Sequence, residues 1–275
     1  AHFVLPGVTG MKVWVLLHDV ALCALLSTWC LRRGGSAFPA AAYAWNPLVI
    51  LEYAGSGHHD PIALLPLALA FFLAARRPGL SALAFAVAVL GKLLPLVALP
   101  MLWRHWPWRA RGVAVAVTGA GLALFAWLAL GRSSGLQAYA SSWRNNELAF
   151  HYAAAWMGEP RARVATAVVI VLVALAAARW MKDAALAARA AFRTALLAGP
   201  VLHPWYLGWA LVWEPLAPSW PWLLLSALAL LNYGVFVPPA DGGAFHLPVS
   251  WRWIEYGLPL LLAISLRRFR RSPNV

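Results

Sequence analysis

Charged residues are scarce in this chain, and acidic ones are the scarcest. Only 11% of the 275 residues are charged, nine of them acidic, whereas 63% are hydrophobic. A soluble domain has about 25% charged and 45–50% apolar residues, so this composition excludes a soluble globular protein. We therefore predict an all-α polytopic transmembrane helix bundle that forms one domain over residues 1–275.

Cysteine is also rare, and common motifs for nucleotide or covalent chemistry are missing. The two cysteines, Cys23 and Cys30, lie seven positions apart on one predicted helix. Two helical turns separate them by roughly 10 Å, which is too far for a disulfide. The sequence also lacks a Walker loop, a dinucleotide fingerprint and a nucleophile elbow. We expect packing roles for both cysteines and no cofactor.

The excess of basic residues indicates membrane orientation. The formal net charge is +13, but the arginines cluster between apolar segments, which argues against a nucleic-acid partner. The Ala- and Arg-rich composition suggests a multi-pass protein of the bacterial cytoplasmic (inner) membrane. The predicted apolar segments are 11–31, 37–54, 61–75, 80–103, 112–131, 163–180, 194–217, 220–237 and 253–266.

Two of these segments contain helix breakers, which predicts broken, re-entrant hairpins. Residues 80–103 are interrupted near Pro95, and residues 194–217 are interrupted near Pro204. If both hairpins enter and leave on one side, fifteen of the 22 Lys and Arg residues face the cytoplasm. These are Arg32, Arg33, Arg76, Arg77, Arg104, Arg109, Arg111, Arg179, Lys182, Arg189, Arg193, Arg267, Arg268, Arg270 and Arg271.

The same topology places the acids and imidazoles on the extracytoplasmic side. That side would carry Glu52, His58, His59, Asp60, Glu147, Asp241 and the hairpin apices at Lys92 and His203. Between the spans we predict a polar loop over 132–162 and a short amphipathic surface helix over 181–193. Four residues of the polar loop, Arg144, Asn145, Asn146 and Glu147, could bind sugar hydroxyls, and a solvated loop is an equally good interpretation.

The stretch from Trp45 to Asp60 concentrates ionisable groups within apolar sequence. Glu52 lies at the edge of a span, where a carboxylate is costly and usually functional. Asp60-Pro61 predicts the N-cap and first residue of a helix, so Asp60 is either a cap alone or part of a site. We expect Glu52 and residues 58–60 to meet at one membrane surface.

A metal site at His58, His59 and Asp60 is not expected. Neighbouring residues rarely supply three ligands to one ion, and neither an HExxH motif nor a cysteine pair accompanies them.

Lys92 and His203 are the candidates for binding an anion. Lys92 lies between two apolar runs, where an ammonium costs about 2.5–3.5 kcal/mol. It could hold a phosphate, or it could pair with Asp19 or Glu52 for structure. His203 precedes Pro204 and Tyr206, and it could donate to a phosphate or be an aromatic-belt residue.

Taken in order, these motifs resemble the GT-C class of polytopic glycosyltransferases, and most closely its bacterial mannosyltransferase-like branch. They cover nearly the whole chain, and the ordered set is more specific than any one motif. The motifs are Trp45-Asn46-Pro47 with Glu52, Gly57 to Asp60, Gly91-Lys92 with Pro95, Trp143-Arg144-Asn145, His203 to Tyr206 and Trp253 to Tyr256.

The resemblance implies transfer of a sugar, expected to be mannose, from a polyprenyl-phosphate donor to an extracytoplasmic lipid or glycan acceptor. Direct displacement with inversion is implied. Lys92 and His203 would hold the donor phosphate, and Glu52 and Asp60 would be the candidate catalytic carboxylates. Other substrate contacts would come from His58, His59, Arg144, Asn145 and Tyr206. Membrane lipids would be further partners.

The sequence departs from the resembled class in one respect. The usual general base of that class is an acidic residue in the first extracytoplasmic loop, of which only Ala1 to Gly10 would remain here. We therefore expect an amino-terminally truncated fragment; otherwise Glu52 or Asp60 would have to accept the proton.

A transporter or lipid flippase is the alternative function, because broken helices with midplane charges are typical of those proteins too. Only His18 and Asp19 lie clearly at depth, which favours the transferase. A non-catalytic membrane scaffold is a third interpretation, and it would have little use for the outward polar cluster.

Overall fold

The computed structural model describes residues 7–129, 143–236 and 249–271, and the backbone in these ranges is mainly helical. The only β-contact among them is an isolated parallel bridge between Asn145 and Val201. The predicted all-α class is confirmed. The α-helices are α1 Gly7–Arg32, α2 Ala41–Ala44, α3 Pro47–Val49, α4 Pro61–Leu73, α5 Pro78–Gly91, α6 Leu99–Trp103, α7 Trp108–Ala129, α8 Ala149–Met157, α9 Glu159–Trp180, α10 Ala184–Ala198, α11 Gly208–Leu211, α12 Trp220–Leu228 and α13 Val249–Arg271.

Short irregular helices connect these elements. The 3₁₀ helices are Phe38–Ala40, Leu94–Ala98, Pro204–Leu207, Glu214–Leu216 and Ala229–Phe236, and Ile50–Gly55 is a π-helix. Three helices of the described chain, α1, α7 and α9, are long and apolar enough to cross a bilayer. The protein is therefore a membrane protein built as a helix bundle.

The first predicted hairpin is confirmed. Helix α5 ends at Gly91, and Lys92 has an extended backbone before Pro95 opens a 3₁₀ turn. The Lys92 ammonium contacts Asp60 at the start of α4, whereas Arg104, just after α6, donates to the carbonyls of Ala178 and Lys182 at the end of α9. The segment therefore returns to the end of the bundle from which α5 began.

The second hairpin is confirmed in the same way. His203 has an extended backbone, as expected for a residue before proline, and the chain then turns back through α11. At the end of the return, Glu214 forms ion pairs with Arg189 and Arg193 of α10. Bonds between Arg33 and Asp183 and between Cys30 and Pro215 tie this end to α1.

The predicted surface helix over 181–193 is wrong in its bounds and its placement. Helix α10 begins one residue after its N-cap, Asp183, whose side chain accepts from the backbone N–H groups of Ala185 and Leu186. It continues to Ala198 and buries a face of alanines around Phe192 in the core. Small side chains let this helix approach its neighbours closely, so it packs inside the bundle.

The segment predicted over 37–54 is a series of short pieces. Pro47 begins α3, and Asn46 caps that helix by accepting the Leu48 N–H at 3.0 Å. The π-helix follows, and it turns Glu52 and Tyr53 into the protein interior. Single π-turns of this kind are frequent at functional sites.

The polar loop predicted over 132–162 is partly helical. Helix α8 begins at Ala149, Gly158 adopts a φ of 82°, and α9 begins at Glu159. Only glycine tolerates that backbone at little cost, which allows the sharp turn between the two helices. Residues 132–142 of this loop and the predicted outward residue Asp241 lie outside the described residues.

Two smaller expectations are confirmed within α1. Cys23 and Cys30 are both free thiols. Asp19 is paired inside the bundle, because the hydroxyl of Tyr43 donates to its carboxylate at 2.8 Å.

Candidate active site

Asp60 is a buried carboxylate at the end of the bundle where α4 begins. Its side chain is 1% exposed, and one oxygen, Oδ1, receives both the Lys92 ammonium at 2.5 Å and the Trp209 indole N–H at 2.6 Å. The second oxygen, Oδ2, is buried with no hydrogen-bond partner among the described residues. An ammonium and an indole from two hairpins thus converge on one carboxylate.

The interpretation of Asp60 as a helix cap alone is wrong. Asp60 occupies the N-cap position of α4, but its backbone is helical and its side chain makes no capping bond. The carboxylate is used instead for Lys92 and Trp209. The alternative prediction that Lys92 pairs with Asp19 or Glu52 is also wrong, because its partner is Asp60.

Lys92 lies at the apex of the first hairpin with its ammonium over an aromatic surface. Its nitrogen is 4.1 Å from the ring centroid of Tyr206 and 5.8 Å from that of Trp209. Cation–π contacts at these distances favour a fixed ammonium. The Lys92 side chain retains 21% exposure, so the cation is held in place and still accessible to a ligand.

Two imidazoles stack on one indole beside this pair. The Trp205 ring lies 3.7 Å from His58 and 4.3 Å from His203, with interplanar angles of 12° and 7°. The ring of Tyr206 meets the His203 ring edge-on at 5.4 Å. The stack joins the loop before α4 to the apex of the second hairpin.

The pKa values of both stacked imidazoles are lowered, which favours the neutral rings at neutral pH. Burial lowers the pKa of His203 to about 4, with His58 and Lys92 adding to the effect and Asp60 opposing it. Burial likewise lowers the pKa of His58, with Asp60 again opposing. His203 can therefore donate or accept a hydrogen bond as a neutral ring.

Donor groups face both ring nitrogens of His203. The Asn145 amide nitrogen donates to the Leu202 carbonyl at 3.3 Å and lies 3.0 Å from His203 Nδ1. The indole N–H of Trp143 donates to Nε2 at 3.4 Å. A neutral imidazole has one N–H and one acceptor nitrogen, so these contacts orient the ring and either nitrogen can be the acceptor.

Glu52 forms a second buried group next to the stack. Its side chain is fully buried; Oε1 accepts from the Tyr233 hydroxyl at 2.6 Å, and Oε2 lies 3.4 Å from His58 Nε2. No hydrogen bond to Oε2 is formed by the described residues. This oxygen therefore retains the capacity to accept a proton.

The loop that carries Asn145 is anchored from behind by α13. The buried Asn146 has a left-handed φ of 50°, and its amide donates to both oxygens of Glu255 at 2.9 Å. The Tyr256 hydroxyl donates to the Asn146 carbonyl at 2.6 Å. Backbone bonds from Asn145 to Pro200 and Leu202 hold the same loop against the second hairpin.

Arg144 is directed away from this cluster. Its guanidinium binds Glu147 at 2.5 Å, lies 3.8 Å from Glu159 and contacts His151 at 3.5 Å. These contacts explain a structural use of Arg144 within the loop. His59, by contrast, is exposed at the surface of the site.

Comparison with known proteins assigns the chain to a family. The model of Glycosyltransferase family 87 matches residues 3–207, three quarters of the sequence. The chain belongs to glycosyltransferase family 87. This is a GT-C-type membrane glycosyltransferase family, so the resemblance to that class is confirmed. A search of curated proteins found no match.

Membership of family 87 makes this protein a membrane glycosyltransferase and removes the need for the transporter or scaffold interpretations. The matched region contains every site residue predicted from the sequence. Trp209, Tyr233 and Glu255 lie beyond it, yet they contact Asp60, Glu52 and Asn146, respectively. The carboxyl-terminal helices of this family member thus complete the surroundings of the site.

Several residues that build the site of this family 87 protein were not predicted. Trp205 and Trp209 were not among the predicted site residues, although for Trp209 the need of a buried indole N–H for an acceptor is a usable signal. Tyr233 gave no signal, since 181 positions separate it from Glu52. Gly208 is a further case, because a Cβ there would lie 1.7 Å from the Tyr53 hydroxyl.

Proposed function

We propose that this glycosyltransferase uses a polyprenyl-phosphate sugar as donor and binds its phosphate between Lys92 and His203. The observation that carries the proposal is the position of the Lys92 ammonium, fixed by Asp60 and Tyr206 at the apex of a broken hairpin while its side chain remains 21% exposed. Such a donor combines an interfacial anion with an apolar tail. It needs a cation and N–H donors beside an apolar cleft, which broken helices supply.

His203 contributes the second donor of this site. Its Nδ1 lies beside the Asn145 amide, and its Nε2 contacts the Trp143 indole N–H at 3.4 Å, so a ring protonated at Nε2 would donate to a phosphate oxygen in place of that long contact. A neutral imidazole binds phosphate more weakly than a cation does, so Lys92 supplies the positive charge and the hydrogen bond from His203 orients the phosphate. Asp60 then acts as the positioning residue for Lys92, because its Oδ1 accepts from both the Lys92 ammonium and the Trp209 indole N–H.

Glu52 is the proposed catalytic base among the described residues. Its Oε2 faces His58 and lacks a hydrogen bond, and a carboxylate in that state can take the proton of an acceptor hydroxyl. The hydroxyl oxygen forms the new bond to the anomeric carbon as the bond from that carbon to the phosphate oxygen breaks. The proton goes to Glu52, polyprenyl phosphate leaves, and the anomeric configuration inverts.

The remaining site candidates receive narrower roles. His58, His59 and Tyr206 line the surface where the sugar would lie, whereas Asn145 sets the direction of His203. Arg144 supports the loop through Glu147. We take mannose as the sugar and a lipid or glycan as the acceptor on the basis of the motif resemblance.

The site end of the molecule is proposed to face the extracytoplasmic side of the bacterial inner membrane. The opposite end carries Arg33, Arg104, Lys182, Arg189 and Arg193 in mutual proximity or on adjoining turns. Basic residues favour the cytoplasmic side of a bilayer, which leaves the acids and imidazoles outside.

The test compares two histidines of the same chain. His203→Ala should reduce sugar transfer from polyprenyl-phosphate mannose by about ten- to a hundredfold, the effect of a lost hydrogen bond to a charged group. The matched control is His105→Ala, which removes an exposed imidazole at the opposite end. The assay measures radiolabelled mannose transfer in membranes with equal amounts of each protein. Equal activity of the two variants would exclude His203 from donor binding.

A further inference from the structure

A groove lies between α6 and α9, far from the candidate active site. It has a volume of about 580 Å³ and is lined by Leu99, Pro100, Trp103, Arg104, Leu175, Ala178 and Arg179. Arg163, earlier on α9, donates to the Trp143 carbonyl at the site end of the bundle. Sixteen residues of helix, about 24 Å, separate Arg163 from Arg179, so the groove lies at the other end.

The groove combines an apolar wall with a basic mouth. Leu99, Pro100 and Leu175 line it, and Leu175 is 51% exposed. Arg104 donates to the carbonyls of Ala178 and Lys182, and these contacts hold its guanidinium at the mouth.

Arg179 is the cation at this mouth that remains available to bind an anion. Its side chain is exposed, and it forms no hydrogen bond or ion pair with any other residue in the described part of the chain. The neighbouring Lys182 is exposed as well. Asp183, the nearest acid along the chain, is engaged by Arg33. The mouth therefore has an unbalanced positive charge.

Tryptophans set the depth of the groove relative to the bilayer. Trp103 lines the groove, Trp108 begins α7 and Trp180 ends α9; they are 36%, 74% and 76% exposed, respectively. Exposed tryptophans at the ends of spanning helices lie at the level of the lipid headgroups. The apolar wall would then face acyl chains, and the arginines would lie at the height of lipid phosphates.

We propose that this groove is a binding site for one anionic bilayer phospholipid, with an acyl chain against Leu99 and Leu175 and the headgroup phosphate at Arg179. Charge complementarity identifies the occupant, since basic pockets between membrane helices bind anionic headgroups. A zwitterionic lipid has an ammonium that the arginines would repel. The site is separate from the proposed donor site, which lies at the opposite end of α9.

The test titrates the detergent-purified full chain with lipids of identical acyl chains. Native mass spectrometry would follow one-to-one adducts of dioleoylphosphatidylglycerol and dioleoylphosphatidylcholine. We expect at least fivefold tighter binding of the phosphatidylglycerol, because one basic residue near a membrane contributes about a factor of five for an anionic lipid. Arg179→Gln should remove that preference.

Two further variants make the result specific. Arg267→Gln removes an exposed cation from α13 that does not line the groove, and it should leave the preference intact. Leu175→Trp fills the space along the apolar wall without changing the charge. It should weaken the binding of both lipids, while the protein still elutes from size-exclusion chromatography as a folded species. Equal affinity for the two lipids, or equal losses in Arg179→Gln and Arg267→Gln, would overturn the proposal.

Discussion

The carboxylate of Asp60, just before α4, binds the ammonium of Lys92, just after α5, at 2.5 Å. Asp60 is buried, Lys92 is partly exposed, and the Trp209 indole supplies a third partner. The pair joins the loop before α4 to the apex of the first hairpin. It is also the feature on which the proposed donor site depends.

The ion pair predicts unequal effects of its two neutralising variants. Lys92→Met leaves the Asp60 charge buried and unpaired, so it should cost about 3 kcal/mol of stability and abolish measurable donor binding. Asp60→Asn keeps an acceptor for Trp209 and should cost less stability, while donor KM rises about tenfold because Lys92 loses its anchor. Thermal unfolding in detergent and donor-dependent kinetics measure both effects. A Lys92→Met protein with unchanged donor KM would contradict the assignment.

The lowered pKa of His203 predicts a pH-dependent stability. The pKa of His203 is about 4 in the folded protein and near 6.5 in an unfolded chain. The unfolded state therefore binds more protons between about pH 6.5 and 4, so stability should fall as the pH falls through this range. His203→Gln removes that contribution and should show a shallower loss of melting temperature. Identical pH profiles for both proteins would show that His203 titrates normally.

The link from α13 to the Asn145 loop predicts a positioning role for Glu255. Glu255→Ala removes both acceptors of the Asn146 amide, so the loop should loosen and His203 should lose the orientation that Asn145 gives it. We expect kcat to fall about tenfold and donor KM to change less. Glu255→Gln keeps one acceptor and should recover most of the activity. If the two variants lose activity equally, the hydrogen bonds to Asn146 are not the cause.

Much of the architecture was predictable because it follows from strong local signals. Pro95 and Pro204, each preceded by a glycine at Gly91 or Gly199, mark the hairpin apices. The distribution of arginine predicts that both broken segments return to the side from which they enter. The cluster from Glu52 to Asp60 was also evident, since ionisable groups are conspicuous in apolar sequence.

The pairings within the site could not be predicted, because each depends on contacts distant in sequence. Asp60 has the local pattern of a helix cap, and only the position of Trp209, 149 residues away, shows its different use. Helix α10 has the composition of a surface helix. It is buried because Glu214, in the returning half of the second hairpin, neutralises Arg193 inside the bundle.

The nature of the donor is the central claim, and a comparison of donors tests it most directly. Membranes containing this chain would receive radiolabelled polyprenyl-phosphate mannose or nucleotide-linked mannose, each with wild-type protein and with Glu52→Gln. We predict transfer only from the polyprenyl-phosphate donor, reduced by about a hundredfold or more in Glu52→Gln because a general base is lost. Transfer from the nucleotide sugar with no use of the polyprenyl-phosphate donor would contradict the account.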